Sequence, residues 1–546
     1  MRHHLLLLSA LLLLFFSVPV PAPAQQTREG EPPRETVRIP GDVFSVEEVL
    51  SKGRQLEQKE RWSEALSHYE KATRDYPNEQ SLTDRLSAVR RRFNVTRRYA
   101  DRSYLAVVRR GERESTDIYS EILRKIHTHY VDEPRWRAIT ARGVMQLETA
   151  LQSTEFHRVH MERVKSDAIS SFQRSLKSRL SMLPIRDRHE ALDAAVMAGR
   201  LAEKQLGVPP QAVILEFACG AVDTLDAYSA FLTKDQLDDS LSQIEGNFVG
   251  LGIELKAEGN SLLIVNVITG GPAHEAGMRR GDRIVEVDRK TMDDVTTDEA
   301  AEMLRGVEGS TVDVVIVKQD QSSQQVRMMR RRVDVPSIEE VQLIDRDAGV
   351  GYFKLTSFQK NTRNDLDRAL WQLHRQGMRS LIVDVRNNPG GLLPAAIEVA
   401  DRFISRGIIV STRGRSPNED FDYHANGAGT WRVPLLVLVD GDSASASEIF
   451  AGAIRDHDRG DVVGQRTYGK GSVQGIFPLS YSRAGVRLTT AKFYSPAGHA
   501  ISDRGVVPNV DVQIRRKAVA EKDPASETDS VLQTAIKIAQ DKYGAR

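Results

Sequence analysis

With 546 residues the chain is too long for one hydrophobic core, and at roughly 150 residues per domain it should divide into about three or four. Its 75 acidic and 76 basic side chains nearly cancel, which leaves no strong field to gather nucleic acid or an anionic membrane. The single cysteine, Cys219, cannot form an internal disulfide, and its apolar neighbours Ile214, Leu215, Phe217 and Ala218 place it in a buried helix, so thiol chemistry is excluded.

Met1-Arg2-His3-His4 is basic, residues 5–16 form a short apolar run, and Ala22-Pro23-Ala24 offers the small-x-small pattern of signal peptidase. The run is shorter than the ~20 residues that cross a bilayer, so 1–24 reads as a cleaved export signal, with retention at the membrane if cleavage fails. The expected location is therefore periplasmic or extracellular. Residues 25–43, rich in Pro, Gly, Gln and charge, read as a disordered leader.

Helical periodicity begins near Glu47. Gly53, Leu56, Trp62, Ala65, Tyr69, Ala72 and Pro77 fall at the offsets of one tetratricopeptide repeat, whose small residues let two helices touch. One repeat cannot bury its own face, so the 44–110 segment should stack on neighbouring helices and can dock a partner or a second copy. The 111–245 region is helical too, with Ile118, Ile122, Leu123 and Ile126 on one face. Within it, residues 155–210 are polar and Arg/His-rich and look like an insertion; His157 and His160 lack accompanying carboxylates or Cys and read as a solvated face rather than a metal site.

From Gly246 the period changes to strands. Residues 248–255 read as one strand entered through a Gly turn, 262–267 as a second, Gly270-Gly271-Pro272-Ala273 as the start of a short helix, and Gly281-Asp282-Arg283-Ile284 as the approach to a third strand. A helix near 297–304 and a strand over 312–317 complete the unit. In that order these motifs resemble a PDZ domain over 246–332. The Gly250-Leu251-Gly252 loop would bring bare backbone N–H groups to a peptide's terminal carboxylate, the next strand would accept the peptide edge-on, and Leu251, Ile253 and Leu304 would line the pocket for its last side chain.

Beyond Val350 apolar strands alternate with helices, as in an α/β domain: strands over 350–355 and 380–385 flank a helix over 362–377, and Pro389-Gly390-Gly391 turns into a helix over 394–403. The apolar run 435–439 then leads through Asp440-Gly441-Asp442 into Ser443-Ala444-Ser445-Ala446-Ser447-Glu448 and a helix. A nucleophile where a buried strand becomes a helix is held rigidly, and the helix N-terminus favours developing negative charge, which suits acyl transfer. Gly469-Lys470-Gly471-Ser472-Val473-Gln474 follows downstream.

Together with Asp384-Val385-Arg386-Asn387-Asn388-Pro389-Gly390-Gly391 and Ser495-Pro496-Ala497-Gly498, these two stretches resemble the carboxyl-terminal processing proteases over most of residues 115–515. The chain as a whole reads as multidomain α+β: an N-terminal helical region with one tetratricopeptide-like repeat, a PDZ domain, a protease core over 333–515 that the resemblance implies is a crotonase-like α/β sandwich, and a C-terminal helical tail over 516–546; the tetratricopeptide-like start and the 155–210 segment depart from the family pattern. The resemblance implies Ser445 as nucleophile, Lys470 as general base and Gln474 as the residue that positions Lys470, with the backbone N–H groups of Ala446 and Gly391 forming the oxyanion hole and Gly390 as the alternative to Gly391. Ser443 and Ser447 are expected to cap the helix. Asn509 stands where the family usually has an acid.

A lysine acts as base only when neutral, so its pKa, ordinarily near 10.4, must fall by roughly three units, about 4 kcal/mol of desolvation. Lys470 should therefore be buried. A phosphate-binding loop starting at Gly464 fails because Gly471 carries no hydroxyl and residues 472–479 read as a strand. A Ser/His triad would need His424, His457 or His499, and His457 lies about three turns along the helix from Ser445. The expected partners are polypeptides with free carboxyl ends, with no nucleotide, metal or organic cofactor; the different-class alternative is a non-catalytic adaptor.

Overall fold

The computed structural model describes residues 11–12, 45–76, 78–161, 166–223, 225–258, 260–293, 295, 300, 303–502, 504–512 and 529–543. The expected leader, nearly all of the expected signal, Pro77 and most of the helix expected near 297–304 lie outside the described residues. Among the described residues no helix is long and apolar enough to cross a membrane.

Helices Val46–Gln58 and Trp62–Asp75 form a hairpin in which Gly53 faces the Tyr69 ring so closely that a Cβ there would collide with it. Helix Gln80–Ala100 continues the stack, with Leu82, Leu86 and Val89 in the hairpin's apolar cluster. Val95 and Tyr99 at its far end join a second, larger cluster. That cluster is built around the helix Pro210–Asp223, buried along almost its whole length, against Ile118, Ile122 and Ile126 of Glu112–His129. The segment read as an insertion shares this core: Phe156, Phe172, Leu176 and the alanine face Ala191, Ala194, Ala195 and Ala198 are buried in it. His160 is accordingly not solvated but half-buried against Phe156 and Tyr99, where burial lowers its pKa to about 4.

The PDZ unit starts and ends at adjacent points. Strand Asn247–Gly250 pairs antiparallel with Arg331–Asp334, and Val335 N–H donates to the Gly246 carbonyl at 2.8 Å. The single strand expected over 248–255 is two strands in two sheets, because Gly252 takes φ +77° and turns the chain between Asn247–Gly250 and Ile253–Glu258. Ile253–Glu258 is the edge of the sheet that continues through Ser261–Val267, Arg283–Val287, Thr311–Val317 and Ser323–Met329.

Two sheets carry the protease core. One runs Ile338–Asp345, Val350–Leu355, Ser380–Asp384, Leu435–Val439, Asp461–Gly464, Val510–Asp511, parallel apart from its first pair. Its two central strands are buried at every position, as parallel strands covered on both faces must be. Helix Ser530–Tyr543 lays Val531, Ala535 and Ala539 on it, and Asp529 before that helix pairs with Arg386 at 2.7 Å. The second sheet joins Leu11–Leu12, Ser472–Pro478, Gly485–Tyr494, Ile408–Gly414 and Phe421–His424, and takes in Ala230–Leu232, a strand sent across from the helical region to pair with Gly485, Val486 and Arg487.

Candidate active site

Strand Leu435–Val439 ends at Asp440, whose Oδ1 accepts the N–H groups of Asp442 at 3.0 Å and Ser443 at 2.9 Å and so turns the chain sharply. Two residues on, Ser445 takes φ +59° and ψ −106°, a strained conformation for a residue with a Cβ, and helix Ala446–Asp456 begins. Ser445 is fully buried, and its Oγ has no hydrogen-bond partner among the described residues. The flanking serines do not cap the helix as expected. Ser443 Oγ donates to the Val385 carbonyl at 2.8 Å and Ser447 Oγ to the Asn388 carbonyl at 2.9 Å, so both tie this turn to the neighbouring loop.

Glu448, on the first turn of the helix, is the node of the site. Its Oε2 accepts the backbone N–H of Ser445 at 2.7 Å and of Lys470 at 2.9 Å; its Oε1 accepts the Gly469 N–H at 2.7 Å and the Thr467 hydroxyl at 2.6 Å. Burial raises the Glu448 pKa, and these four donors oppose that rise.

Lys470 is 7% exposed, and burial, with the nearby Arg487 cation acting in the same sense, lowers its pKa to about 7. Glu448 and Asp226 pull the other way. Its Nζ lies 4.5 Å from the centre of the Tyr228 ring. Gln474, on strand Ser472–Pro478, is also buried; its amide nitrogen donates to Ser472 Oγ at 2.9 Å and Thr489 Oγ1 at 3.3 Å, while Oε1 has no partner among the described residues.

The loop after Ser380–Asp384 packs on the Ser445 turn. Asn388, fully buried, receives the Gly390 N–H on Oδ1 at 2.9 Å, donates Nδ2 to the Leu355 carbonyl at 2.7 Å, and accepts the Ala444 N–H at 3.0 Å on its own carbonyl. Gly390 and Gly391 have φ of +106° and +148°. Glycine is required at both: a Cβ on Gly390 would lie 3.0 Å from Ser445 Cβ and 2.8 Å from the Ala444 carbonyl, and one on Gly391 would collide with the Phe358 carbonyl. Phe358 pairs with this loop through the Gly390 carbonyl at 3.0 Å and the Leu392 N–H at 2.7 Å, which leaves the Gly391 N–H out of the pairing.

In the PDZ unit Leu251 and Leu304 are buried in one apolar cluster with Ile253 half-buried beside them, and the Leu251 and Gly252 carbonyls accept the Ala273 and Ile268 N–H groups at 2.9 and 2.8 Å. The expected peptide-reading residues are thus gathered at one end of the edge strand Ile253–Glu258.

Residues 349–512 match peptidase family S41 and residues 263–318 match the PDZ domain. The chain is 35% identical over 321 residues to the carboxy-terminal-processing protease of Bartonella bacilliformis, covering 58% of this chain and 73% of that one. To the carboxyl-terminal-processing protease of a Synechocystis species it is 36% identical, covering 53% of this chain and 67% of the relative. The chain belongs to the carboxyl-terminal processing proteases of family S41. Among solved structures, the photosystem II D1 C-terminal processing protease is 26% identical over 73% of this chain and 93% of that one, at a TM-score of 0.38.

This S41 peptidase is therefore a serine peptidase with a PDZ domain, and the non-catalytic adaptor is set aside. Of the three histidines that a triad would need, none hydrogen-bonds the buried Ser445 Oγ among the described residues. His457 ends the same helix and meets the Ile408 carbonyl at 2.7 Å, while His424 and His499 are exposed. Residue 471 leads into strand Ser472–Pro478, not the helix of a phosphate-binding loop. Sequence reasoning missed Glu448, Asn388, Asp226, Tyr228 and Arg487. The first two stand inside the quoted motifs, and a buried charge or amide between small residues was the available signal. The last three carry no local signal.

Proposed function

We propose that this S41 peptidase hydrolyses polypeptide chains with a Ser445/Lys470 pair after capturing their carboxyl ends in the PDZ domain. The observation that carries this reading is the burial of Lys470, with a pKa lowered to about 7, on the same Glu448 oxygen that holds the Ser445 backbone. Neutral Lys470 takes the Ser445 hydroxyl proton as Oγ attacks the scissile carbonyl; the Gly391 and Ala446 N–H groups receive the oxyanion; Lys470 returns the proton to the leaving amine and then activates water to release the acyl group. Among the described residues Ser445 Oγ has no partner, and Nζ rests over Tyr228, so the proton transfer requires Nζ to move onto Oγ. Gln474 Oε1, a buried acceptor without a donor among the described residues, is the group that then accepts a hydrogen bond from Nζ.

Three further parts of the reading rest on sequence or packing alone. Residues 1–24 direct export. The Gly53–Tyr69 contact in the first hairpin supports a tetratricopeptide-like repeat that docks a partner or a second copy. The two-sheet core suits the crotonase-like sandwich that the family resemblance implies.

The deciding experiment is cleavage of an unfolded test protein by the full chain. Ser445→Ala and Lys470→Ala should each abolish it with the circular dichroism spectrum unchanged, and His424→Ala, His457→Ala and His499→Ala should retain it. Loss with His499→Ala and retention with Lys470→Ala would sink the assignment.

A further inference from the structure

The seat of Lys470 is built by two distant parts of the chain. After helix Pro210–Asp223 the helical region makes a tight turn: Asp226 Oδ1 accepts the N–H groups of Tyr228 and Ser229, both at 2.7 Å, and Oδ2 accepts the Ser229 hydroxyl at 3.1 Å. That turn presents the Tyr228 ring to Lys470 Nζ and the Tyr228 carbonyl to Arg487, whose Nε–H donates to it at 2.8 Å. The protease sheet locks the arrangement, since Arg487 pairs with Ala230 and the Thr489 N–H donates to Ser229 Oγ at 3.3 Å.

We propose that Arg487, Asp226 and Tyr228 are positioning residues for Lys470, a seat that the helical region and the protease sheet complete only by docking on each other. The proposal rests on Lys470 being the base.

The groups facing Lys470 have opposed effects. The Arg487 cation disfavours a second positive charge beside it, and Asp226 and Glu448 favour one. The Tyr228 ring attracts an ammonium through its π face while excluding water from it. Burial lowers the pKa of Arg487 itself, to about 10, so it stays charged wherever the peptidase would work. Arg487 also lines a cavity of about 260 Å³ together with Asn94, Arg98, Ser240 and Gln243, so the helical region, the protease sheet and the helix Lys234–Glu245 that leads into the PDZ unit bound one space.

The test is the pH profile of kcat/KM for full-length protein on an internally quenched peptide. Arg487→Met removes the charge and keeps the bulk; its acid limb should move up by roughly one pH unit, and Arg487→Lys should leave the limb in place. Asp226→Asn keeps an acceptor oxygen for the turn but loses the charge, so its limb should move down. A lesion that merely loosens the fold cannot move the limb in opposite directions. If Arg487→Met does not fold by circular dichroism, the downward shift in Asp226→Asn decides. An unmoved limb, or a shift of the same sign in both variants, overturns the seat. Lys470→Met, run alongside, separates the two claims: inactivity at every pH with unmoved limbs in the others defeats this proposal alone, whereas an active Lys470→Met defeats the reading on which it rests.

Discussion

Ser445 and Lys470 share one hydrogen-bond acceptor: the backbone N–H of each points at Oε2 of Glu448, at 2.7 and 2.9 Å. A single carboxylate oxygen thus fixes the spacing of two segments that lie 25 residues apart in the chain, without using either reactive side chain.

Replacing Glu448 should therefore damage both stability and turnover. Glu448→Ala leaves the N–H groups of Ser445, Gly469 and Lys470 and the Thr467 hydroxyl without their acceptor in a buried site. At about 1–3 kcal/mol for each buried donor left unsatisfied, a loss of roughly 3 kcal/mol or more is expected in urea denaturation of a Ser445→Ala background, which prevents self-digestion. Glu448→Gln, which turns an N–H₂ toward some of those donors, should lower kcat at least tenfold. Wild-type stability and kcat in both variants would mean that the site is held elsewhere.

The lowered pKa of Lys470 has a signature in stability as well as in rate. Between about 7, its folded value, and about 10.4, its unfolded value, the unfolded chain holds a proton that the folded chain lacks, so stability rises with pH across that window. Below about 7 the lysine is charged in both states and its burial carries the full penalty, about 5 kcal/mol at 1.36 kcal/mol per unit. Lys470→Met in a Ser445→Ala background should be more stable than its parent at pH 6, with the gap closing toward pH 10. A gap independent of pH would show that Lys470 does not titrate in this range.

Asn388 holds the glycine loop over Ser445 by two side-chain hydrogen bonds at 2.7 and 2.9 Å. Asn388→Ala frees the Gly390 N–H and the Leu355 carbonyl in a closed interior, with an expected stability loss of about 1–3 kcal/mol. Steady-state kinetics should show a fall in kcat larger than any rise in KM, because the proposed oxyanion donor at Gly391 is displaced while the PDZ contacts are untouched. A change confined to KM would place Asn388 in substrate binding.

Substrate discrimination should depend on a free carboxyl end. Amidating it removes the charge that the Gly250-Leu251-Gly252 backbone is proposed to receive and leaves the scissile bond unchanged. One to two hydrogen bonds to a charged group are worth roughly 1.5–3 kcal/mol each, so kcat/KM should fall at least tenfold. Equal values for acid and amide would remove the tail-reading part of the proposed function.

Much of this architecture was legible because buried parallel strands write themselves as unbroken apolar runs. Leu435–Val439 and Ser380–Asp384 carry that pattern and lie adjacent and parallel in the sheet. Residues 248–255 misled because alternation continues across Leu251 and Gly252 although the backbone turns there at φ +77°. Ser323–Met329 and Ile338–Asp345 escaped notice because they lie at the ends of their sheets, the first exposing most of its side chains and the second leaving most of them exposed or half-buried, so little apolar period remains. The Ser445 and Lys470 segments were readable as contiguous motifs. Tyr228 and Arg487 were not, since only strand pairing brings positions 259 residues apart against the same lysine.

The strand Ala230–Leu232 has a consequence for how such a chain can be taken apart. It precedes the PDZ unit in sequence yet belongs to the protease sheet behind it, so the PDZ unit interrupts a single folding body and does not separate two. With Gly246 and Val335 joined by a hydrogen bond of 2.8 Å, that unit enters and leaves at one point, beside an Arg305–Asp239 ion pair of 3.2 Å to the preceding helix, and can be exchanged or excised with a short splice. A cut anywhere between residues 233 and 246, by contrast, strips the second sheet of a strand that no downstream fragment can replace. Gene-level shuffling can therefore swap the reader of the substrate's tail freely, whereas the helices and the peptidase must be inherited together.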